Sequence, residues 1–157
     1  MTYDFENPAA ELGMKLVHKD YRSNSYYHIF NRGALQKNVF RSHQDFKCYF
    51  GSLLNILEIS DNNIRCLAYA LLPTHYHLVI WQRDARDISL FVRRLSSAYA
   101  RFYCKKYHHI GHIFESRYKA VLITNSWQLQ RAIDYVLCNP LSHRLPNWKW
   151  VGRLSSY

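Results

Sequence analysis

His75 and His77 flank a single residue in the run His75-Tyr76-His77-Leu78-Val79-Ile80. Side chains of an extended strand alternate between faces, so the two imidazoles point one way while Tyr76, Leu78 and Ile80 point the other. Two imidazoles aimed at one point make half a site for a borderline divalent metal; a further protein ligand must come from elsewhere. The same spacing also fits ordinary sheet histidines. The chain holds nine histidines, and His108, His109 and His112 form a second cluster of comparable density. Cys48, Cys66, Cys104 and Cys138 stand singly, with no C-x-x-C pair and no charged-then-apolar leader before them. They read as thiols of a reducing cytoplasm rather than as a zinc site.

The elements that must position these side chains follow from periodicity. Tyr26-Tyr27-His28-Ile29-Phe30 is aromatic and β-branched and stops at Asn31-Arg32-Gly33, which predicts a strand and a turn. Ser42-His43-Gln44-Asp45 resembles a helix start, and Phe46, Tyr49, Phe50, Leu53 and Leu57 then recur at helical spacing up to Asp61-Asn62-Asn63. Ile64 to Leu72 and His75 to Gln82 are apolar-rich runs separated by Pro73-Thr74, as expected of an antiparallel pair. Ile88, Phe91, Val92, Leu95, Tyr99 and Phe102 mark the apolar face of a long helix. Tyr118 to Ile123 predicts a fourth strand, and Leu129, Ala132, Ile133 and Val136 the buried stripe of a last helix that Pro140 should end. The order βαββαβ plus a terminal helix predicts an α+β, ferredoxin-like or RRM-like fold around a central antiparallel sheet. Residues 26–140 form the domain proper. Residues 1–25, which mix charge with Pro8 and Gly13 and lack periodicity, read as an N-terminal extension outside the core, and residues 141–157 as a C-terminal tail.

The 157-residue chain has 21 Lys and Arg against 11 Asp and Glu, a formal net charge of +10. Such a balance favours a nucleic-acid partner. No apolar run approaches the roughly 18 residues of a spanning helix, which argues against a membrane. Between Asp87 and Glu115 there is no carboxylate, so Arg93, Arg94, Arg101 and Lys105 on the long helix present a field of one sign suited to phosphates. Arg117 and Lys119 beside the fourth strand and Arg32 at the end of the first are further candidates for DNA contact. Solvent-facing charge is the alternative for all seven. Trp148 and Trp150 suit either base stacking or docking onto the core.

The run Tyr69-Ala70-Leu71-Leu72-Pro73-Thr74-His75-Tyr76-His77-Leu78-Val79-Ile80 resembles the metal-binding strand of the HUH single-tyrosine transposases, in which a bulky apolar residue stands between the two histidines. Tyr27-His28-Ile29-Phe30-Asn31-Arg32-Gly33, Gly111-His112-Ile113-Phe114-Glu115-Ser116-Arg117-Tyr118-Lys119 and Tyr135-Val136-Leu137-Cys138-Asn139-Pro140 agree, in order, with the REP-associated branch of that family. The resemblance spans roughly Tyr26 to Pro140. Thr74 departs from it, standing where Asn commonly precedes the first metal histidine, and the N-terminal extension is longer than in many relatives.

Tyr135 and Asn139 lie four residues apart, on one side of a helix. Periodicity does not single out Tyr135 among thirteen tyrosines, and Asn139 before a proline also suits a helix end. The resemblance implies that Tyr135 is the nucleophile and that Asn139 joins His75 and His77 as metal ligand. It implies Mg²⁺ or Mn²⁺, although two histidines would suit Zn²⁺ by ligand type. It further implies cleavage of single-stranded or hairpin DNA by a transposase, through a 5′-phosphotyrosine, in a bacterial cytoplasm near the nucleoid. A homodimer and a monomer both remain open. The competing readings are a non-catalytic RRM-like nucleic-acid-binding module, which would need aromatics on an open sheet, and a transposase descendant kept for binding alone.

Overall fold

The structure is a computed structural model that describes residues 8–18 and 20–154. Six strands, β1 (Leu16–Val17), β2 (Ser25–Arg32), β3 (Ile64–Leu72), β4 (His75–Gln82), β5 (Lys119–Ile123) and β6 (Val151–Arg153), form one sheet in the order β1-β5-β2-β4-β3-β6. Every neighbouring pair is antiparallel. The inner four, β5-β2-β4-β3, have the order and direction of the expected ferredoxin-like α+β plan. Among the described residues four α-helices accompany them: α1 (Pro8–Glu11), α2 (His43–Ile59), α3 (Asp87–Tyr107) and α4 (Ser126–Ser142).

Alternation along β4 assigns its two faces. Tyr76, Leu78 and Ile80 pack with Tyr49 and Leu53 of α2 and with Phe91, Leu95 and Tyr99 of α3. Val79 packs instead with Leu129, Ala132, Ile133 and Val136 of α4. His75 and His77 share the parity of Val79 and therefore face α4. Helices thus cover both faces of the sheet, α2 and α3 on one and α4 on the other.

The turn that carries His75 is firmly held. Leu72 pairs with His75 across the two-residue Pro73-Thr74 turn. The Pro73 carbonyl accepts the N–H groups of Val39 (2.8 Å) and Phe40 (3.0 Å), and the Thr74 carbonyl accepts that of Gly33 (2.8 Å). Gly33 is required by close approach, since a Cβ there would lie 2.1 Å from the Lys37 carbonyl oxygen. At the start of α2, Ser42 and Asp45 form the expected capping box. Asp45 is buried and also takes Lys106 Nζ at 2.6 Å and the Tyr107 hydroxyl at 2.7 Å, so Lys106 on the basic helix is a structural cation.

Two expectations are corrected, and a third question is decided. Residues 8–17, read as extension outside the core, belong to the fold: Ala9 and Leu12 are buried, and β1 pairs with β5. One helical turn and a two-residue strand are too short to show a period. The last helix does not stop at Pro140 but includes it and ends at Ser142. Proline there lacks only the N–H that would have bonded Val136, and the helix closes two residues later, where the His143 N–H reaches the Asn139 carbonyl at 3.2 Å. In the tail, β6 pairs with β3, the Trp148 indole N–H donates to the Leu71 carbonyl at 2.6 Å, and Trp150 stacks on Phe46 with ring centroids 5.5 Å apart. Both tail tryptophans thus dock onto the core.

Candidate metal and nucleophile site

β4 and α4 bring together residues that lie 64 positions apart. Nε2 of His75 stands 3.4 Å from the side-chain oxygen of Asn139, while its Nδ1 is 2.8 Å from the Thr74 hydroxyl. The rings of His75 and His77 are 5.1 Å apart and nearly perpendicular. Tyr135, one helical turn before Asn139, sets its ring 5.6 Å from that of His77. Asn139 is buried, and its amide nitrogen has no partner among the described residues. Its side chain is occupied by His75 rather than by capping the helix.

The 3.4 Å separation is informative. It is long for an N–H···O hydrogen bond, which centres on about 2.9–3.0 Å. Two ligands each about 2.1 Å from one cation are about 3.0 Å apart in octahedral and about 3.4 Å apart in tetrahedral coordination. The His75 Nε2–Asn139 Oδ1 distance equals the tetrahedral value and exceeds the octahedral one. Burial, with the neighbouring His143 as a lesser cause, pushes the His75 pKa down to about 4. Burial, then the neighbours His75, His28 and His143, holds His77 well below its ordinary value. Both rings are neutral at physiological pH, the state in which imidazole offers a lone pair to a metal. Among the described residues no group of three or more His, Cys, Asp or Glu side chains is arranged to hold a metal.

Two further histidines adjoin the pair. His28 on β2 is fully buried, and its Nε2 lies 3.0 Å from Nδ1 of His77. The His28 ring is also 5.6 Å from that of Tyr135. His143, just past α4, sets its ring 4.8 Å from that of His75. Reading the chain assigned neither a role. His28 sits in a quoted motif, but its contact with His77 depends on the β2–β4 register, and His143 lies in what reads as tail.

A cleft of about 200 Å³ opens beside the histidines, lined among others by Arg32, Gln36, Thr74, His75, His77, Lys119 and His143. Arg32 and Lys119 thus meet His75 and His77 at one opening. Arg32 is also ion-paired with Glu115. Tyr135 and Asn139 border a separate hollow with Glu11, Leu12 and Arg131, and the Tyr135 hydroxyl is buried. The remaining basic candidates are spread out. Arg93 and Arg117 line a groove of about 1080 Å³ between α3 and residues 111–118, which shares Asn31, Glu115 and Ser116 with the histidine cleft. Arg94 borders a small hollow at the other side of α3 with Asp61 and Asp87. Arg101 and Lys105 are exposed along α3 and line none of these openings.

The family model described as "Transposase IS200 like" matches residues 21–138, three quarters of the chain, and the chain belongs to that family. Its fold is similar to that of a REP-associated tyrosine transposase solved bound to a REP hairpin, with a TM-score of 0.71 at 15% identity, covering 88% of this chain and 82% of the other. A second similar structure, a protein from Deinococcus radiodurans R1 designated a transposase, gives a TM-score of 0.52 at 20% identity over 77% of this chain and 96% of the other. No curated protein matches the chain. The fold expected from the order of elements and the family expected from the resemblance are thus both met. No helix among the described residues is long and apolar enough to cross a membrane.

Proposed function

We propose that this IS200-like transposase cleaves and rejoins single-stranded DNA at or near a hairpin, with Tyr135 as nucleophile and a covalent 5′-phosphotyrosine intermediate. The observation that carries the reading is the placement of Tyr135 and Asn139, one turn apart on α4, against His77 and His75 on β4. The similar solved transposase is bound to a REP hairpin, which supports DNA of this shape as substrate.

His75, His77 and Asn139 would hold a divalent cation, Mg²⁺ or Mn²⁺ by family resemblance. Such an ion supplies positive charge that polarises a phosphate and favours the phenolate form of a tyrosine whose ordinary pKa is near 10. The protein's own residues do the rest. Arg32 and Lys119, at the mouth of the histidine cleft, receive the phosphate backbone. The Tyr135 oxygen attacks phosphorus, the bond to the 3′-oxygen breaks, and the proton lost by the phenol is balanced by one gained at the departing 3′-hydroxyl. Bond energy is conserved in the phosphotyrosine, so the reverse attack by a 3′-hydroxyl rejoins a strand without ATP. Because the Tyr135 hydroxyl is buried, α4 must shift for the phosphate to reach it. Arg93 and Arg117, in the adjoining groove, extend the same positive field along the strand.

Strand-end labelling tests the reading. A hairpin oligonucleotide labelled at its 3′ end should yield label that migrates with denatured protein in Mn²⁺. The same oligonucleotide labelled at its 5′ end should release a free fragment that a polymerase extends from its 3′-hydroxyl. Label attached to protein from the 5′ end, or a fragment carrying a 3′-phosphate, would contradict the polarity.

A further inference from the structure

We infer that His28 is a positioning residue that fixes the His77 imidazole with its Nε2 lone pair available to a cation. The inference rests on the metal reading above and adds a residue outside the ligand set. Two observations support it, the strand register and the buried contact. His28 and Phe30 of β2 lie opposite Val79 and His77 of β4, so both histidines occupy the α4 face. The His28 ring is fully buried, and its Nε2 meets Nδ1 of His77 at 3.0 Å, within normal hydrogen-bond range. Its own Nδ1 has no partner among the described residues.

The hydrogen bond has two arrangements with opposite consequences. If His28 donates, His77 carries its proton on Nε2 and cannot ligate through it. If Nδ1–H of His77 donates to His28, Nε2 of His77 is a lone pair, as a metal ligand must be. The Thr74 hydroxyl stands in the corresponding position, 2.8 Å from Nδ1 of His75. Each histidine of the pair has Nδ1 engaged by a neighbour, which leaves Nε2 as the remaining ring nitrogen. Phe30, stacked on His77 with ring planes 28° apart and centroids separated by 5.7 Å, keeps the ring from turning out of that bond. A core needing only bulk at position 28 would be served as well by leucine, since an imidazole here leaves one nitrogen buried without a partner.

The test uses the full chain and three variants' worth of contrast: wild type, His28→Leu and His28→Gln. Glutamine can place an amide oxygen near the position of the His28 Nε2 and accept from His77. Long-range ¹H–¹⁵N NMR of the metal-free protein should find His77 as the Nδ1–H tautomer in wild type and His28→Gln, and a mixture in His28→Leu. Calorimetric titration with Mn²⁺ should give about a 10- to 100-fold loss of affinity in His28→Leu. His28→Gln should recover most of it. Thermal melting separates this from a structural role, because replacing a partly unpartnered buried imidazole by leucine should not lower Tm. Equal Mn²⁺ affinity in wild type and His28→Leu, or an Nε2–H tautomer in wild type, would overturn the inference while leaving the metal reading intact. Absence of Mn²⁺ binding to wild type would overturn the metal reading and this inference with it.

Discussion

Nε2 of His75 on β4 and the side-chain oxygen of Asn139 on α4 stand 3.4 Å apart, across 64 residues of chain. This contact directs the Asn139 side chain to His75, and α4 ends three residues later, with His143 as its cap. Asn139→Ala should lower Mn²⁺ affinity by about tenfold or more, with little change in melting temperature, because the lost side chain makes no cap. Asn139→Asp should tighten Mn²⁺ binding, since a carboxylate is the harder and charged ligand. Calorimetric titration of both variants checks the pair. An alanine variant that binds as wild type would remove Asn139 from the ligand set.

Asp45 should be the point of acid sensitivity on the opposite side of the sheet. Burial alone would raise its pKa, but Lys106, Tyr107 and the N–H groups of Arg41 and Ser42 outweigh it and hold the carboxyl below its ordinary value of 3.8. The folded state thus favours the charged form. The resulting stability is complete above the unfolded pKa and is lost as pH falls through the folded one. Asp45→Asn should cost about 1–3 kcal/mol at pH 7, because it removes the charge that the half-buried Lys106 and the Tyr107 hydroxyl engage. Urea unfolding at pH 7 and near pH 3 should show the difference between variant and wild type shrinking at the lower pH.

The central face assignment was legible in the sequence because β4 alternates strictly, and its Pro73-Thr74 turn marks the hairpin. The register between β2 and β4 was not, and without it His28 cannot be set beside His77. Asn139 illustrates the opposite difficulty. Its spacing from Tyr135 was plain, yet a following proline suits a helix end, and only the three-dimensional course of α4 through Pro140 takes Asn139 out of the cap position. His143 follows that same proline and went unassigned for the same reason. Of the seven basic candidates, sequence supplied the charges but not their distribution among the histidine cleft, the adjoining groove and the open surface of α3.

Lys119 lines the histidine cleft, whereas Lys105 lies on the exposed surface of α3. Lys119→Ala should therefore weaken binding to single-stranded hairpin DNA and reduce the salt slope of log K by about one, as for loss of one phosphate contact. Lys105→Ala should do less. Fluorescence anisotropy over a salt series, with Tyr135→Phe as background to prevent cleavage, measures both. Equal effects would mean that DNA does not distinguish the cleft from the helix surface.

Leu12 is buried against α4 and the sheet although it precedes the strands predicted from sequence. Leu12→Ala should destabilise the protein by about 2–4 kcal/mol, the usual cost of truncating a core leucine. A denaturant midpoint unchanged by this substitution would show that residues 8–17 contribute nothing to the fold's stability.

The nucleophile is the centre of the account. Incubation of wild type and Tyr135→Phe with 3′-labelled hairpin DNA and Mn²⁺, followed by denaturing electrophoresis, tests it most directly. Wild type should carry label at the position of a protein–DNA adduct, and Tyr135→Phe should carry none while binding the same DNA undiminished. An adduct of equal yield in Tyr135→Phe would contradict the assignment.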